Sequence, residues 1–366
     1  MTANFKMVRK NRRILLVLCV VLILSAIFTL SAKFCSSAAK EALEICAGSV
    51  IPSLFPFMVL SAIASSVASE ISVKGKRVPA LTAAILGSLC GFPVGASVTA
   101  SMYKNGAISR RRAEYMAGFC NNTGPAFVVD VIGRSFWGDS SVGWIFYVCQ
   151  ILSSAIIFAV WRLFFRGNMD DSDRHATHNF DNCATSGVTA RHSPADVFCN
   201  AISSSAAAVI RICGYIVFFY VSLRLIEVVL TQLRAPELLF AGISALLEFT
   251  TGTSVAAAIG GRIGALLCGF SLGFSGISVM AQSSGILTSA GLSSAPMLRL
   301  KLCEGFVCSA LSVAAADIFV FASPTSAGIC RALYPHPAAL PSSISLSLIF
   351  LFVILQAARR TSSQNT

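Results

Sequence analysis

Charge is what this sequence has least of. Only 12% of its 366 residues are Asp, Glu, Lys or Arg, about half the share of a soluble domain, which excludes a water-surrounded globule. Histidine occurs four times, and His175, His178 and His192 fall in one polar stretch. No HExxH pair is available to hold zinc, no GxxxxGK[ST] loop to cradle phosphate, and no enzymatic activity or catalytic residue is expected. Cysteine is plentiful, with 13 residues, yet no CxxC pair occurs. Cys19, Cys46, Cys149, Cys213, Cys268 and Cys308 stand singly inside apolar runs, where reduced cysteine packs as a small hydrophobe. Neither a redox motif, a metal site nor a cofactor is expected.

Apolar residues make up 55% of the chain and mean hydropathy is +0.75, the composition of an integral membrane protein. The formal net charge of +12 would point to nucleic acid in a soluble chain. Here the basic residues gather at the ends of apolar segments, which is the pattern that orients membrane spans, so no nucleic-acid partner is expected. Lys6, Arg9, Lys10, Arg12 and Arg13 precede an apolar stretch from Ile14 to Ala32. That stretch exceeds the roughly 7–15 residues of a signal-peptide core and reads as an uncleaved first span with a cytoplasmic N-terminus.

Further apolar segments run at 44–69, 79–103, 113–136, 143–165, 197–231, 237–260, 262–287, 299–323 and 341–358. A simple span needs about 20 apolar residues. Segment 79–103 is flanked by Lys74, Lys76 and Arg77 on one side and by Lys104 and Arg110 to Arg112 on the other. If both clusters stay in the cytoplasm, the chain enters and leaves on one face. A re-entrant hairpin turning at Gly91, Phe92, Pro93 and Gly95 does this, because proline removes a backbone donor and glycine admits positive φ. The alternative is an ordinary span with a kink and close-packing glycines.

The second half repeats the theme. The stretch 269–286, with Gly273 near its start and Gln282 toward its end, can be laid over 91–108, both following Cys and continuing Gly-Phe. Glycine-rich apolar sequence also matches itself by chance. Paired interruptions in two halves are nonetheless the best sequence pointer to a transporter-like binding site. The expected fold is all-α: a polytopic membrane protein of about 8–10 membrane segments, with two related halves carrying re-entrant hairpins. Residues 1–40 form a basic segment and first span, 41–166 the first repeat, 167–194 a polar cytoplasmic linker, 195–325 the second repeat, and 326–366 a last span and tail. His175, His178 and Cys183, or Asp170, Asp171 and Asp173, lack metal-site spacing, and the linker reads as solvated chain.

Two polar groups interrupt apolar sequence. Asn121, Asn122, Thr123, Gly124 and Pro125 put amides, a hydroxyl and a helix break inside one segment. They can line a cavity for a polar solute or bond neighbouring helices for about 1 kcal/mol or less each. Glu248, Thr250, Thr251 and Gly252 form the other. An intramembrane carboxylate costs about 2.5–3.5 kcal/mol on insertion scales and marks function by default; here it either faces a ligand or pairs with Arg211, Arg224 or Arg262. Asp130 and Arg134 stand at i, i+4 and are expected to pair locally. Glu304 and Asp317 are assigned to helix packing.

These stretches, IPSLFPFMVL at 51–60, GFPVGA at 91–96, the run from Lys104 through NNTGP at 121–125, and LLEFTTG at 246–252, resemble the sporulation integral membrane proteins of the YlbJ type. Those belong to the wider nucleoside-recognition, or Gate, domain group, similar to the gating halves of concentrative nucleoside transporters. The resemblance implies a multi-pass protein of the bacterial cell membrane, needed for spore cortex formation. It implies site positions at Gly91, Phe92, Pro93, Gly95, Asn121, Asn122, Gly124, Pro125, Glu248, Thr250 and Gly252. The expected function is a permease or facilitator of a small polar solute such as a nucleoside. The alternative is a non-transporting scaffold for spore envelope assembly. Expected partners are membrane lipid, the solute, and a second copy or other sporulation membrane proteins. The second half is expected to be inverted relative to the first, against the pull of Arg359 and Arg360 toward the cytoplasm.

Overall fold

The computed structural model describes residues 18–72, 91–104, 108–165 and 193–319, with residues 15, 84, 85, 87–89 and 106. The basic N-terminal residues, the polar linker up to residue 192 and the expected last span at 341–358 lie outside the described residues. Every regular element among those described is helical. Among the described residues, four stretches are long and apolar enough to cross a membrane: Ala32–Leu60, Ser140–Leu163, Ala195–Gln232 and Gly261–Ser289. Many large apolar side chains of the first three face outward, as bilayer solvation permits, and Gly261–Ser289 is mostly buried: Leu163 and Ile210 are more than two-thirds exposed, while Lys301, Glu304, Asn121 and Gln150 are fully buried. Large apolar side chains outside with an ion pair and amides inside are not the surface of a water-soluble protein.

Helix α1 (Leu18–Leu30) leads into α2 (Ala32–Ile45), a π-helical turn at Cys46–Val50, and α3 (Ile51–Ser72). Helical residues 87–89 then run into Gly91, Phe92 and Pro93, and the chain leaves as α4 (Val94–Lys104). Gly91 has φ +78° and the Phe92–Pro93 peptide is cis. A Cβ on Gly87 would lie 3.1 Å from the Gly95 Cα and 1.7 Å from the Cys120 carbonyl oxygen. Residues eight apart on an unbroken helix are about 12 Å apart, so the chain folds back on itself here. Helix α5 (Arg110–Cys120) follows, then a non-helical stretch at 121–124, a π-helical segment at Phe127–Phe136, and α6 (Ser140–Phe165). Pro125 stands where the helix resumes, a position at which its missing N–H costs nothing.

The second half starts with α7 (Pro194–Gln232), set by a capping box between Ser193 and Asp196 with Pro194 in the first turn. Buried Arg224 fastens it to α2, ion-paired to Glu227 and to Glu41 at 3.8 Å, while the Tyr220 hydroxyl donates to Glu41 at 2.9 Å. After α8 (Glu237–Leu247), a single extended residue, Glu248 (φ −138°, ψ 124°), turns the chain into α9 (Phe249–Ile259). A Cβ on Gly252 would lie 2.6 Å from the Ala245 Cα, where seven residues of continuous helix would separate them by about 10 Å. Gly260 at φ 67° leads into α10 (Gly261–Phe274), left-handed Ser275 breaks it, and α11 (Gly276–Ser289) and α12 (Ala295–Phe319) complete the half.

The second fold-back therefore lies at Glu248, not in 269–286 where the overlay placed the repeated turn. Helices α10 and α11 bend at Ser275 without packing on one another, whereas α8 packs along α9. Gly91-Phe92 sits at a hairpin tip; Gly269-Phe270 sits inside a helix. The overlay matched local composition, not position in the fold. Taken by geometry, the halves share one order: a long helix, a folded-back pair, a helix broken near its middle, and a long helix. The interlocking is reciprocal, with α4 packed on α11 and α9 on the π-helical segment, α5 on α12 and α10 on α6.

Candidate functional site

In each half the hairpin tip abuts the broken helix. A Cβ on Gly91 would come within 3.0 Å of the Gly124 nitrogen, and one on Gly276 (φ +71°) within 3.0 Å of the Phe249 nitrogen. The two tips also meet one another. The rings of Phe92 and Phe249 stand edge to face with centroids 5.3 Å apart, and Phe127 lies 5.3 Å from Phe249. Between tips and breaks is a small cavity of about 30 Å³, room for one or two water-sized molecules.

Its wall is drawn from the opening long helices, the tips and the broken helices of both halves. Gly91 and Phe92 come from the first tip, Thr123, Gly124 and Phe127 from the first break, and Glu248, Phe249 and Thr250 from the second tip. Ser278, Val279 and Gln282 come from α11, Ile212 and Ile216 from α7, and Val50 and Leu54 from the first long helix. Thus seven expected positions, Gly91, Phe92, Thr123, Gly124, Glu248, Thr250 and Gln282, share one cavity.

Glu248 is 1% exposed and caps α9. One carboxylate oxygen accepts the Thr251 N–H at 2.6 Å, and its own carbonyl accepts the Gly252 N–H at 2.8 Å. A helix N-terminus favours negative charge, so the local fold partly supports a carboxylate here. The cationic partners considered for it are engaged elsewhere. Arg224 pairs with Glu227 and Glu41, Arg262 pairs with Asp317 at 2.8 Å, and the Arg211 Nε donates to the Ala207 carbonyl at 3.2 Å.

Asn121 and Asn122 stand behind the cavity and tie the first break to the second half. The Asn121 amide donates to Ser283 Oγ at 2.8 Å. The Asn122 carbonyl oxygen accepts from Lys301 Nζ at 2.8 Å and lies 3.0 Å from Ser154 Oγ, while its amide donates to the Phe119 carbonyl at 3.0 Å. Lys301 also pairs with Glu304 at 3.0 Å, and Ser154 donates to Glu304 at 2.5 Å. Both members of this pair are fully buried. Gln150 makes a third tie: its amide donates to Thr123 Oγ1 at 3.2 Å and to the Leu272 carbonyl at 3.3 Å, so one side chain touches both broken helices.

The remaining expected positions shape the backbone around the cavity. Pro93 forms the first tip. Gly95 presses on the Cys120 carbonyl, Gly252 on Ala245, and Gly273 on the backbone of Glu304 and Gly305. Thr251 supplies the cap N–H to Glu248, and Pro125 begins the segment after the break. Asp130 and Arg134 pair at 3.3 Å on an exposed face, as their spacing predicts. The sequence Gly269-Phe270-Ser271-Leu272-Gly273 also spells GxSxG, but a nucleophile elbow needs a strand-to-helix turn. This stretch is helical, and buried Ser271 donates to the Ala245 carbonyl at 3.4 Å.

Sequence reasoning passed over Gln150, Lys301, Phe127, Phe249 and Ser278. The first two carried a usable signal, since a lone polar or charged residue in an apolar run marks an internal contact. The phenylalanines carried none, because phenylalanine is ordinary anywhere in such a segment.

The architecture and the exposed apolar belt define a polytopic all-α integral membrane protein. The chain is similar to the sporulation integral membrane protein YlbJ of Bacillus subtilis (strain 168), 26% identical over 302 residues that span 73% of this chain and 74% of that protein. The resemblance to YlbJ-type proteins expected from the motifs is thus matched by a similarity over most of the chain. No family model matches the chain, and no solved structure matches it.

Proposed function

We propose that this protein is a permease or facilitator for a small polar solute, working in the membrane of a sporulating bacterium toward formation of the spore cortex. One observation carries the reading: two fold-back tips and two helix breaks, in corresponding positions of two halves, converge on one small cavity. Broken helices are tolerated at membrane depth where the freed backbone lines such a space, and paired breaks are the arrangement of carriers. In this reading the tips are re-entrant and each half crosses the bilayer three times. An odd number of crossings inverts the second half, and the basic N-terminus stays in the cytoplasm.

A site for a drug-sized ligand measures roughly 300 Å³ or more, about tenfold the present volume. The structure is therefore read as the closed form, and a nucleoside-sized solute enters only when Phe92 and Phe249 part. Uptake into proteoliposomes tests this. Solute entry that is lost when Asn121, Asn122 and Glu248 are together replaced by alanine supports the carrier; entry unchanged by the triple replacement counts against it. The engagement of Asn121 and Asn122 in internal bonds favours a scaffold as the second reading. That reading expects the triple variant, once folded, to capture the same crosslinked partners as the wild type and to support sporulation.

A further inference from the structure

We infer that Glu248 is a proton site: its carboxyl is protonated while the two tips are closed and releases that proton to water when they part. The inference rests on reading the chamber as a solute site, and it adds a proton to what each opening moves. Three observations meet at this residue. Glu248 is 1% exposed and forms the second tip, where the chain turns between α8 and α9. It lies in the chamber wall, whose other residues are uncharged. The basic residues considered as its partners are engaged elsewhere, Arg224 with Glu227, Arg262 with Asp317 and Arg211 with the Ala207 carbonyl. Among the described residues, the titratable group that feels its charge is the Cys46 thiol, itself hydrogen-bonded to Cys213, and a thiol brings no positive charge. Fully buried Glu304, by contrast, has Lys301 at 3.0 Å.

Two effects oppose one another at Glu248. The Thr251 N–H, 2.6 Å from the carboxyl, and the start of α9 favour an ionised group. Removal from water disfavours it, and without a cation beside it the carboxyl takes up a proton instead. The second effect is the larger, because a helix end acts as a fraction of a charge, whereas burial withdraws the hydration of a whole one. A protonated carboxyl gains an O–H donor, and the wall holds an acceptor for it. The Ser278 hydroxyl oxygen is buried there without a hydrogen-bond partner, and the chamber has room for a water to carry the bond between them. Opening reverses the balance. When Phe92 and Phe249 part, water reaches the tip, hydrates the carboxylate and accepts the proton, so the side chain ends with one negative charge and the solution with one proton. The next closure takes a proton from the side of the membrane that the chamber last faced. Proton relays in pumps and transporters are built from intramembrane carboxylates of this kind.

The test is infrared absorption of the purified full chain in a maltoside detergent, which has no ester carbonyl to hide the C=O stretch of a protonated acid. At neutral pH, where a glutamate in water is ionised, the wild type shows that stretch and Glu248→Gln, which keeps an oxygen to cap α9, lacks it. Ser278→Ala leaves the cap untouched and moves the stretch to higher frequency, because the acid loses its acceptor; this variant decides the matter if the Gln protein does not fold. In D2O the stretch shifts down as the acid exchanges, and joining the tips through Phe92→Cys and Phe249→Cys slows that exchange. A wild-type spectrum without the stretch, a stretch that survives Glu248→Gln, or exchange as fast with the tips joined as free overturns the inference. Where only Ser278→Ala folds, a stretch that does not move overturns it too. Proteoliposome uptake by a protein that lacks the stretch sinks the proton and leaves the carrier standing. The stretch without uptake of any solute offered supports the proton and counts against the carrier.

Discussion

The ring of Phe92 meets that of Phe249 edge to face, 5.3 Å between centroids and 89° between planes, although 157 positions separate them in the chain. Each sits at a fold-back tip, one beside Gly91 and the other beside Glu248. Both rings line the cavity, and in the carrier reading proposed above opening begins where they meet.

Replacing Phe92 and Phe249 by cysteine, in a background freed of native cysteine, is expected to give a pair that a short bifunctional thiol reagent joins in high yield. Joining the tips is expected to stop uptake while leaving the protein monodisperse. Absence of crosslinking in the membrane would show that the tips do not meet there.

Lys301→Met leaves Glu304 fully buried without its partner. Breaking a buried pair on one side costs about 3–5 kcal/mol, so the variant is expected to unfold well below the wild type or to fail to accumulate. Lys301→Met combined with Glu304→Leu removes both charges and is expected to recover much of the loss. Thermal midpoints of the three proteins in one detergent check the sign and the coupling.

Gly95→Ala puts a methyl 1.9 Å from the Cys120 carbonyl oxygen, and Gly252→Ala puts one 2.6 Å from the Ala245 Cα. Neither neighbour is a flexible side chain, so the first substitution pushes the hairpin off the broken helix and the second forces the arms at Glu248 apart, each at a cost of about 1–3 kcal/mol or more. Gly214→Ala and Gly285→Ala meet nothing within 4 Å, and both sit in helices where alanine is favoured by up to about 1 kcal/mol. A midpoint that falls for the first two and holds or rises for the second two is the expected pattern.

Gln150→Leu removes the side chain that touches Thr123 and the Leu272 carbonyl together. Polar contacts of this kind between membrane helices are worth about 0.6 kcal/mol on average, so the effect on stability is expected to be small. The effect on uptake is expected to be larger, because the two broken helices lose their shared tie. Equal uptake by variant and wild type would show that the tie has no part in transport.

Much of the site was legible because its residues break a strong pattern. Glycine, proline, paired amides and one carboxylate in apolar sequence have few reasons to be there, and Gly91, Phe92, Thr123, Gly124, Glu248 and Thr250 are found in one wall. The second fold-back was not legible. Glu248 turns the chain with a single extended residue and no proline, while the glycine-rich stretch after Cys268 looks like a turn and is helix, its glycines at 269 and 273 present for the close approach of α12. Glycine in a membrane segment reports close backbone approach as readily as it reports a bend, and sequence alone does not separate the two.

The sequence by itself determined that this is a helical membrane protein, since so little charge and so much apolar residue can be solvated only by lipid, and lipid demands internally bonded backbone. It also marked where the first helix break falls, because Pro93 lacks a backbone donor and Gly91 admits positive φ, while leaving a reversal and a kink both open. Only the tertiary structure decided that Asn122 answers to Lys301, that Phe92 answers to Phe249, and that Glu248 caps α9 apart from Arg211, Arg224 and Arg262, which are engaged elsewhere. Those are relations between segments more than a hundred residues apart, fixed by how the halves interlock, and no local pattern of residues carries them.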